Sequence, residues 1–274
     1  MIVGNADLCR SQPAIRYHRD FKSPTGPVVH QATFQSHEKY AVAFFPFEPY
    51  ADLTKLQNAV TDSICELITE TLKSKDTFSI SLSGGSTPKR VYEMLATRDL
   101  PWEQIHFFWG DERNVPHDHS DSNYKMVKNA LLDHIPVKES NVHPVQVQVD
   151  APAEAARAYA SEMEAFFGTA MPTFDLVLLG MGDDAHTSSL FPETKALGVT
   201  DASFIENYVP KFQAHRYTMT YPAISAGKDI WFIITGSAKR EALKQVLFGE
   251  RNLQLYPSQG VSPTRWFVDA EAVE

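Results

Sequence analysis

The order of apolar and polar positions along the chain alternates between two periods. From residue 53 the apolar side chains fall at 53, 56, 60, 64, 67, 68 and 72. That three-and-four spacing is one buried helix face, and it predicts a helix of about twenty residues. The period then switches to two, with Phe78, Ile80 and Leu82 alternating with Ser79, Ser81 and Ser83, the pattern of a strand. Helical spacing returns with Val91, Met94 and Leu95. An apolar strand follows at 105–109, then a helix from about Ser122 through Tyr124, Val127 and Leu131. A further helix is expected over 153–167, with Ala156, Tyr159, Met163, Phe166 and Phe167 on one face, which reads as core. The run 176–179 is apolar at every position and suits a strand buried on both faces. Residues 215–220 read as β, 230–234 as another strong strand, 239–247 as a helix and 265–268 as a short closing strand. An early strand is expected over 42–47, with Pro46 marking its end or an edge.

Strands alternating with helices predict an α/β fold, an open and mostly parallel sheet with helices on both faces. Four of the strands end in glycine, at Gly84/Gly85, Gly110, Gly180/Gly182 and Gly236. In a parallel sheet these turns share one edge, and ligands of open α/β sheets bind beyond the carboxyl ends of the strands. That edge gathers Ser83, Ser86, Thr87, Asp111, Arg113, Asp184, His186 and Lys239.

The turn over 83–88 joins a strand to a helix, with Thr87 the expected N-cap and Pro88 the first helical residue. Glycines allow close approach of a ligand to the backbone, and a helix N-terminus attracts an anion. A plain strand-to-helix turn is the alternative. Ser237 is the expected N-cap of the last helix. In the stretch 174–192 the buried strand ends at Gly180 and Gly182 and is followed by Asp183, Asp184, His186, Thr187, Ser188 and Ser189. A histidine can act as general base on water, and a carboxylate such as Asp184 would fix its tautomer. The bland reading is a polar residue bonded only to backbone. Neither Ser188 nor Ser189 sits in the G-x-S-x-G elbow of a nucleophilic serine. The segment 180–185 formally fits G-x-G-x-x-A, but Pro192 interrupts the helix that a dinucleotide site needs, and two carboxylates would repel a pyrophosphate. His117, Asp118 and His119 do not match a zinc spacing and read as a solvated loop.

Composition narrows the classes. The 274 residues are 43% hydrophobic and 22% charged, ordinary for a globular protein. A formal net charge of −9 argues against a nucleic-acid partner. No apolar run is long enough to span a bilayer, and the N-terminal segment lacks the apolar core of a secretory signal. Two cysteines, Cys9 and Cys65, fit a reducing cytoplasm, although one disulfide is conceivable. Residues 1–36 read as an extended or disordered arm and residues 37–274 as a single domain.

Three motifs in order resemble one family. They are 83–88 (SGGSTP), Asp111-Glu112-Arg113 with Val115-Pro116 and Ser122-Asn123, and 178–192 (LLGMGDDAHTSSLFP). With weaker support from Arg216, from 236–239 and from Asp269-Ala270, the chain from about residue 40 is similar to the 6-phosphogluconolactonases. The resemblance implies a three-layer Rossmann-like fold shared with amino-sugar-phosphate isomerases. It implies hydrolysis of 6-phospho-D-glucono-1,5-lactone to 6-phosphogluconate, in the oxidative pentose phosphate pathway, without a required cofactor or metal. The expected partner is that small phosphosugar lactone, with the protein a monomer or weak homo-oligomer. By motif position His186 would activate water and Asp184 would support it. Ser83, Gly84, Gly85, Ser86, Thr87, Asp111, Arg113, Arg216 and Lys239 would hold phosphate and sugar oxygens.

One position departs from the family pattern: Ala185 stands where Asp-Gly-His is usual. If φ is positive there, alanine costs about 1 kcal/mol or more. Two alternatives remain beside the lactonase. A glucosamine-6-phosphate deaminase/isomerase would carry a further acid five residues after the histidine, where this chain has Phe191, and an aromatic where it has Arg113. A non-catalytic sugar-phosphate-binding protein draws its support from Ala185 alone.

Overall fold

A computed structural model describes residues 16–18, 31–36 and 39–274, and the chain divides into two units between residues 48 and 49. In the first unit β1 (Arg16–His18), β2 (Gln31–Ser36) and β3 (Lys39–Phe44) form an antiparallel sheet in that order. Most of the arm expected over 1–36 lies outside the described residues, as does Cys9. The parts that are described are paired strands. The strand expected at 42–47 begins earlier and stops before Pro46.

The second unit begins with α1 (Leu53–Thr71), whose buried stripe includes Leu56, Val60, Ile64 and Ile68. The Asp52 carboxylate caps it by accepting the Lys55 N–H at 2.8 Å. There follow β4 (Phe78–Leu82), α2 (Ser86–Leu95), β5 (Ile105–Trp109), β6 (Asp111–Arg113), α3 (Asn123–Ala130), β7 (Val142–His143), α4 (Pro152–Phe167) and β8 (Leu176–Leu179). The chain closes with β9 (Phe204–Val209), β10 (Ala214–Met219), α5 (Tyr221–Ser225), β11 (Asp229–Ile234), α6 (Arg240–Phe248) and β12 (Arg265–Val268).

The main sheet has six parallel strands in the order β12-β11-β8-β4-β5-β7. Every residue of β4 and β8 is buried, as two-sided cover requires. The chain runs outward from β4 through β5 to β7, then returns to lay β8 on the other side of β4. The strand order therefore reverses between β4 and β8, and a crevice opens beyond their carboxyl ends. At the opposite end of the same strands Asp175 ties them together. Its side chain, 2% exposed, accepts from the Ser79 N–H at 2.9 Å, from Lys75 at 2.6 Å and from Lys228 at 2.9 Å.

A second, antiparallel sheet runs β6-β10-β9. Asp-Glu-Arg has no apolar alternation to mark β6 as a strand. Pairing with β10 makes it a strand and sets Arg113 opposite Arg216. Two capping expectations are corrected. Helix α2 starts at Ser86 with Gly85 as its cap, at φ 112°, and no side chain caps it. Thr87 instead shares a 2.8 Å hydroxyl bond with Thr235. Ser237 does not cap α6: Gly236 precedes a short 3-10 turn, Ser237–Lys239, that leads into α6, and the Gly236 N–H is taken by the Asp269 carboxylate at 3.0 Å. Among the described residues no helix is long and apolar enough to cross a membrane.

Candidate active site

All four glycine turns lie at the carboxyl ends of parallel strands, as expected. Beyond them is a cavity of about 200 Å³ lined by residues of three turns, β4–α2, β5–β6 and the loop after β8, together with Lys239. It brings together Ser83, Gly84, Gly85, Asp111, Arg113, His186 and Lys239. Asp184 stands behind His186, Arg216 behind Arg113, and Ser86 and Thr87 lie outside the lining.

The imidazole is held from two directions. Its Nδ1 lies 2.5 Å from Asp184 Oδ1. A carboxylate accepts, so Nδ1 carries the proton and Nε2 is left as the basic atom. One face of the ring stacks on Phe191, with centroids 4.0 Å apart and 23° between planes. Both side chains are about three-quarters covered, at 25% and 24% exposed. Burial alone would raise the Asp184 pKa. Hydrogen bonds from His186 and Lys211 outweigh it and hold the carboxyl well below the usual carboxylate range.

The loop has no room to spare. A methyl group on Gly182 would stand 2.0 Å from His186 Nδ1 and 2.6 Å from Asp184 Oδ1, and the Gly182 N–H donates to the His186 carbonyl at 2.8 Å. Ala185 has φ 61°, so this position does demand the left-handed region. Its side chain is fully buried.

The lining also carries cations, Arg113 and Lys239. Arg113 Nη1 donates to the Asp121 carbonyl at 2.6 Å. Arg216 lies across the strand pair from it, and its Nε is buried without a partner. Burial and the neighbouring Arg113 charge both lower the Arg216 pKa. Two guanidiniums on paired strands, one with an unpaired donor, offer charge and hydrogen bonds of the kind an anion can take. The Ser83 hydroxyl is also buried and unpartnered at the cavity. Asp111 accepts from Ser189 Oγ at 2.8 Å, while Glu112 turns away to take the N–H groups of Asn123 and Tyr124 at 2.7 Å and so caps α3. Among the described residues no group of three or more His, Cys, Asp or Glu is placed to hold a metal.

Sequence reasoning did not select Ser188 or Met181, which line the cavity, nor Lys211, whose Nζ lies 2.7 Å from Asp184 Oδ2. Gly180 and Gly182 were visible as the end of a strand. Lys211 carries no local signal, because its partner lies in another loop.

The sequence from residue 51 to 269 matches the family of glucosamine-6-phosphate isomerases/6-phosphogluconolactonase. The chain belongs to this family. The 6-phosphogluconolactonase of Nostoc sp. is 42% identical over 231 residues, covering 82% of this chain and 95% of that one. The Synechocystis sp. 6-phosphogluconolactonase is 41% identical over 213 residues, covering 76% and 88%. Among solved structures, Thermotoga maritima 6-phosphogluconolactonase superposes with a TM-score of 0.71 at 31% identity, over 81% of this chain and 98% of that chain. The Trypanosoma cruzi 6-phosphogluconolactonase gives 0.73 at 27% identity, over 83% and 97%. The resemblance drawn from three motifs is thereby borne out, as is the α/β fold with a parallel sheet.

Proposed function

We propose that this protein hydrolyses 6-phospho-D-glucono-1,5-lactone to 6-phosphogluconate, in the oxidative pentose phosphate pathway, with His186 as general base. The observation that carries the reading is the 2.5 Å His186–Asp184 pair on one wall of a cavity whose other lining includes Arg113 and Lys239. Among the described residues no side chain pairs with Lys239, which leaves its charge available to an anionic substrate.

The chemistry follows from that arrangement. Nε2 of His186 takes a proton from water as the oxygen attacks the lactone carbonyl carbon. Asp184, still ionised, stabilises the imidazolium that forms. The tetrahedral intermediate collapses with cleavage of the bond to the ring oxygen. The imidazolium returns its proton to that oxygen, giving a hydroxyl and a carboxylic acid that then ionises. A lactone needs no covalent enzyme intermediate, so Ser188 and Ser189 are not required as nucleophiles. The phosphate is held by Arg113, Arg216 and Lys239, with the N-terminus of α2 beside Gly84 and Gly85. Asp111 accepts from sugar hydroxyls. Phe191 occupies the position where the isomerase alternative would place its acid, and it is stacked on the base.

The test is a coupled assay on freshly made 6-phosphogluconolactone, with spontaneous hydrolysis subtracted. A saturable enzymatic rate supports the reading. Binding of the phosphosugar without turnover would replace it with the non-catalytic alternative.

A further inference from the structure

The turn between β9 and β10, residues 210–213, sits against the Asp184–His186 pair through two side chains. Lys211 Nζ lies 2.7 Å from Asp184 Oδ2, while Asp184 Oδ1 takes the imidazole Nδ1. The carboxylate is therefore bound at both oxygens, by different groups. The next residue, Phe212, meets Phe191 edge to face at 5.5 Å and 85°, and Phe191 in turn stacks on the imidazole. The Arg216 guanidinium lies 5.2 Å from the Phe212 ring centroid. Gln213, at φ 50°, closes the turn so that Lys211 and Phe212 both reach the loop after β8.

We propose that Lys211 is a positioning residue for the proposed general base: it fixes the Asp184 carboxylate so that Oδ1 stays on His186 Nδ1. A carboxylate held by one partner can rotate about its χ2 bond and present either oxygen, or swing into water. A carboxylate held at both oxygens cannot rotate without breaking a charge-assisted hydrogen bond. The charged groups facing Asp184 are His186 from its own loop and Lys211 from the turn; Asp183, at 3.6 Å, faces Lys211.

The inference rests on the proposed role of His186, and its experiment separates the two. Lys211→Met and Lys211→Arg are compared with the native protein by kcat, KM and the 15N resonances of the His186 ring without substrate. Lys211→Met is expected to lower kcat roughly tenfold, within the 10²-fold that misplacing a reacting group can cost. KM should change by less than about twofold, as for a residue that acts after binding. The ring spectrum should lose its single Nδ1–H form, and Lys211→Arg should restore most of the rate. An unchanged ring spectrum in Lys211→Met overturns the inference. So does a raised KM with native kcat, which would make Lys211 a ligand of the substrate. If the native protein does not turn over the lactone, the functional reading fails, and the ring spectra alone decide what Lys211 does.

Discussion

The carbonyl oxygen of Ala185 accepts two hydrogen bonds from Ser258, one from its N–H at 2.9 Å and one from its hydroxyl at 2.8 Å. Ala185 stands in the left-handed region, at φ 61°, where a residue with a β-carbon costs about 1–2 kcal/mol. Ser258, almost fully buried, is what holds that peptide in place beside His186. Replacing Ala185 by Gly relieves the steric cost but adds unfolded-chain entropy, so a net gain of about 0.5–1 kcal/mol is expected, with activity retained. Ser258→Ala should cost about 1 kcal/mol and lower kcat several-fold, because one of the two anchors is lost. Thermal melts and steady-state rates on both variants check these signs.

Gly182 faces a stricter constraint. Its missing side chain leaves the space occupied by the imidazole, and a β-carbon would fall 2.2 Å from His186 Cε1. Gly182→Ala must therefore displace the ring or the loop. Turnover should fall by roughly 10²-fold or more, the cost of a misplaced reacting group. Near-native rates in this variant would show that the loop can move aside.

The depressed pKa of Asp184 makes a prediction about acid stability. A carboxyl whose folded value lies below its unfolded value, about 3.9, stabilises the fold fully above that unfolded value. The contribution is lost as pH falls through the lower folded value. The difference in melting temperature between the native protein and Asp184→Asn should thus be constant from neutral pH to about pH 5 and narrow only below about pH 4. A difference already shrinking between pH 7 and 6 would contradict the depressed Asp184 carboxyl.

At the other end of the sheet, Asp175→Ala separates stability from chemistry. It leaves the buried Ser79 N–H without its acceptor and two lysines without their shared partner. Destabilisation of about 2–4 kcal/mol is expected, a fall in Tm of roughly 5–15 °C for a domain this large. The kcat of the folded variant should stay near native. The side-chain pKa of Asp175 is also lowered, burial being outweighed by Lys75, the Ser79 N–H and Lys228, so its contribution too disappears only in acid.

What the sequence revealed follows the range of the interactions concerned. Strands such as β4 and β8 are legible because burial on both faces writes itself as apolar runs, and glycines at their ends mark the site edge. His186 and Asp184 are legible because they lie two residues apart in one loop. Thr87 is not the cap: its hydroxyl goes to Thr235, just beyond the end of β11, and nothing local announces that. The same holds for Lys211 and Asp184, and for Arg216, whose place behind Arg113 depends on the β6–β10 register. The question of φ at position 185 is raised by a departure in the motif, and the backbone answers it with φ 61°.

The central claim is that His186 activates water, and His186→Ala tests it most directly in the coupled lactonase assay. Turnover should drop by about 10²- to 10⁴-fold, the usual contribution of a general base, while KM changes little because phosphate and sugar contacts remain. A variant that hydrolyses 6-phosphogluconolactone at the native rate would contradict the account.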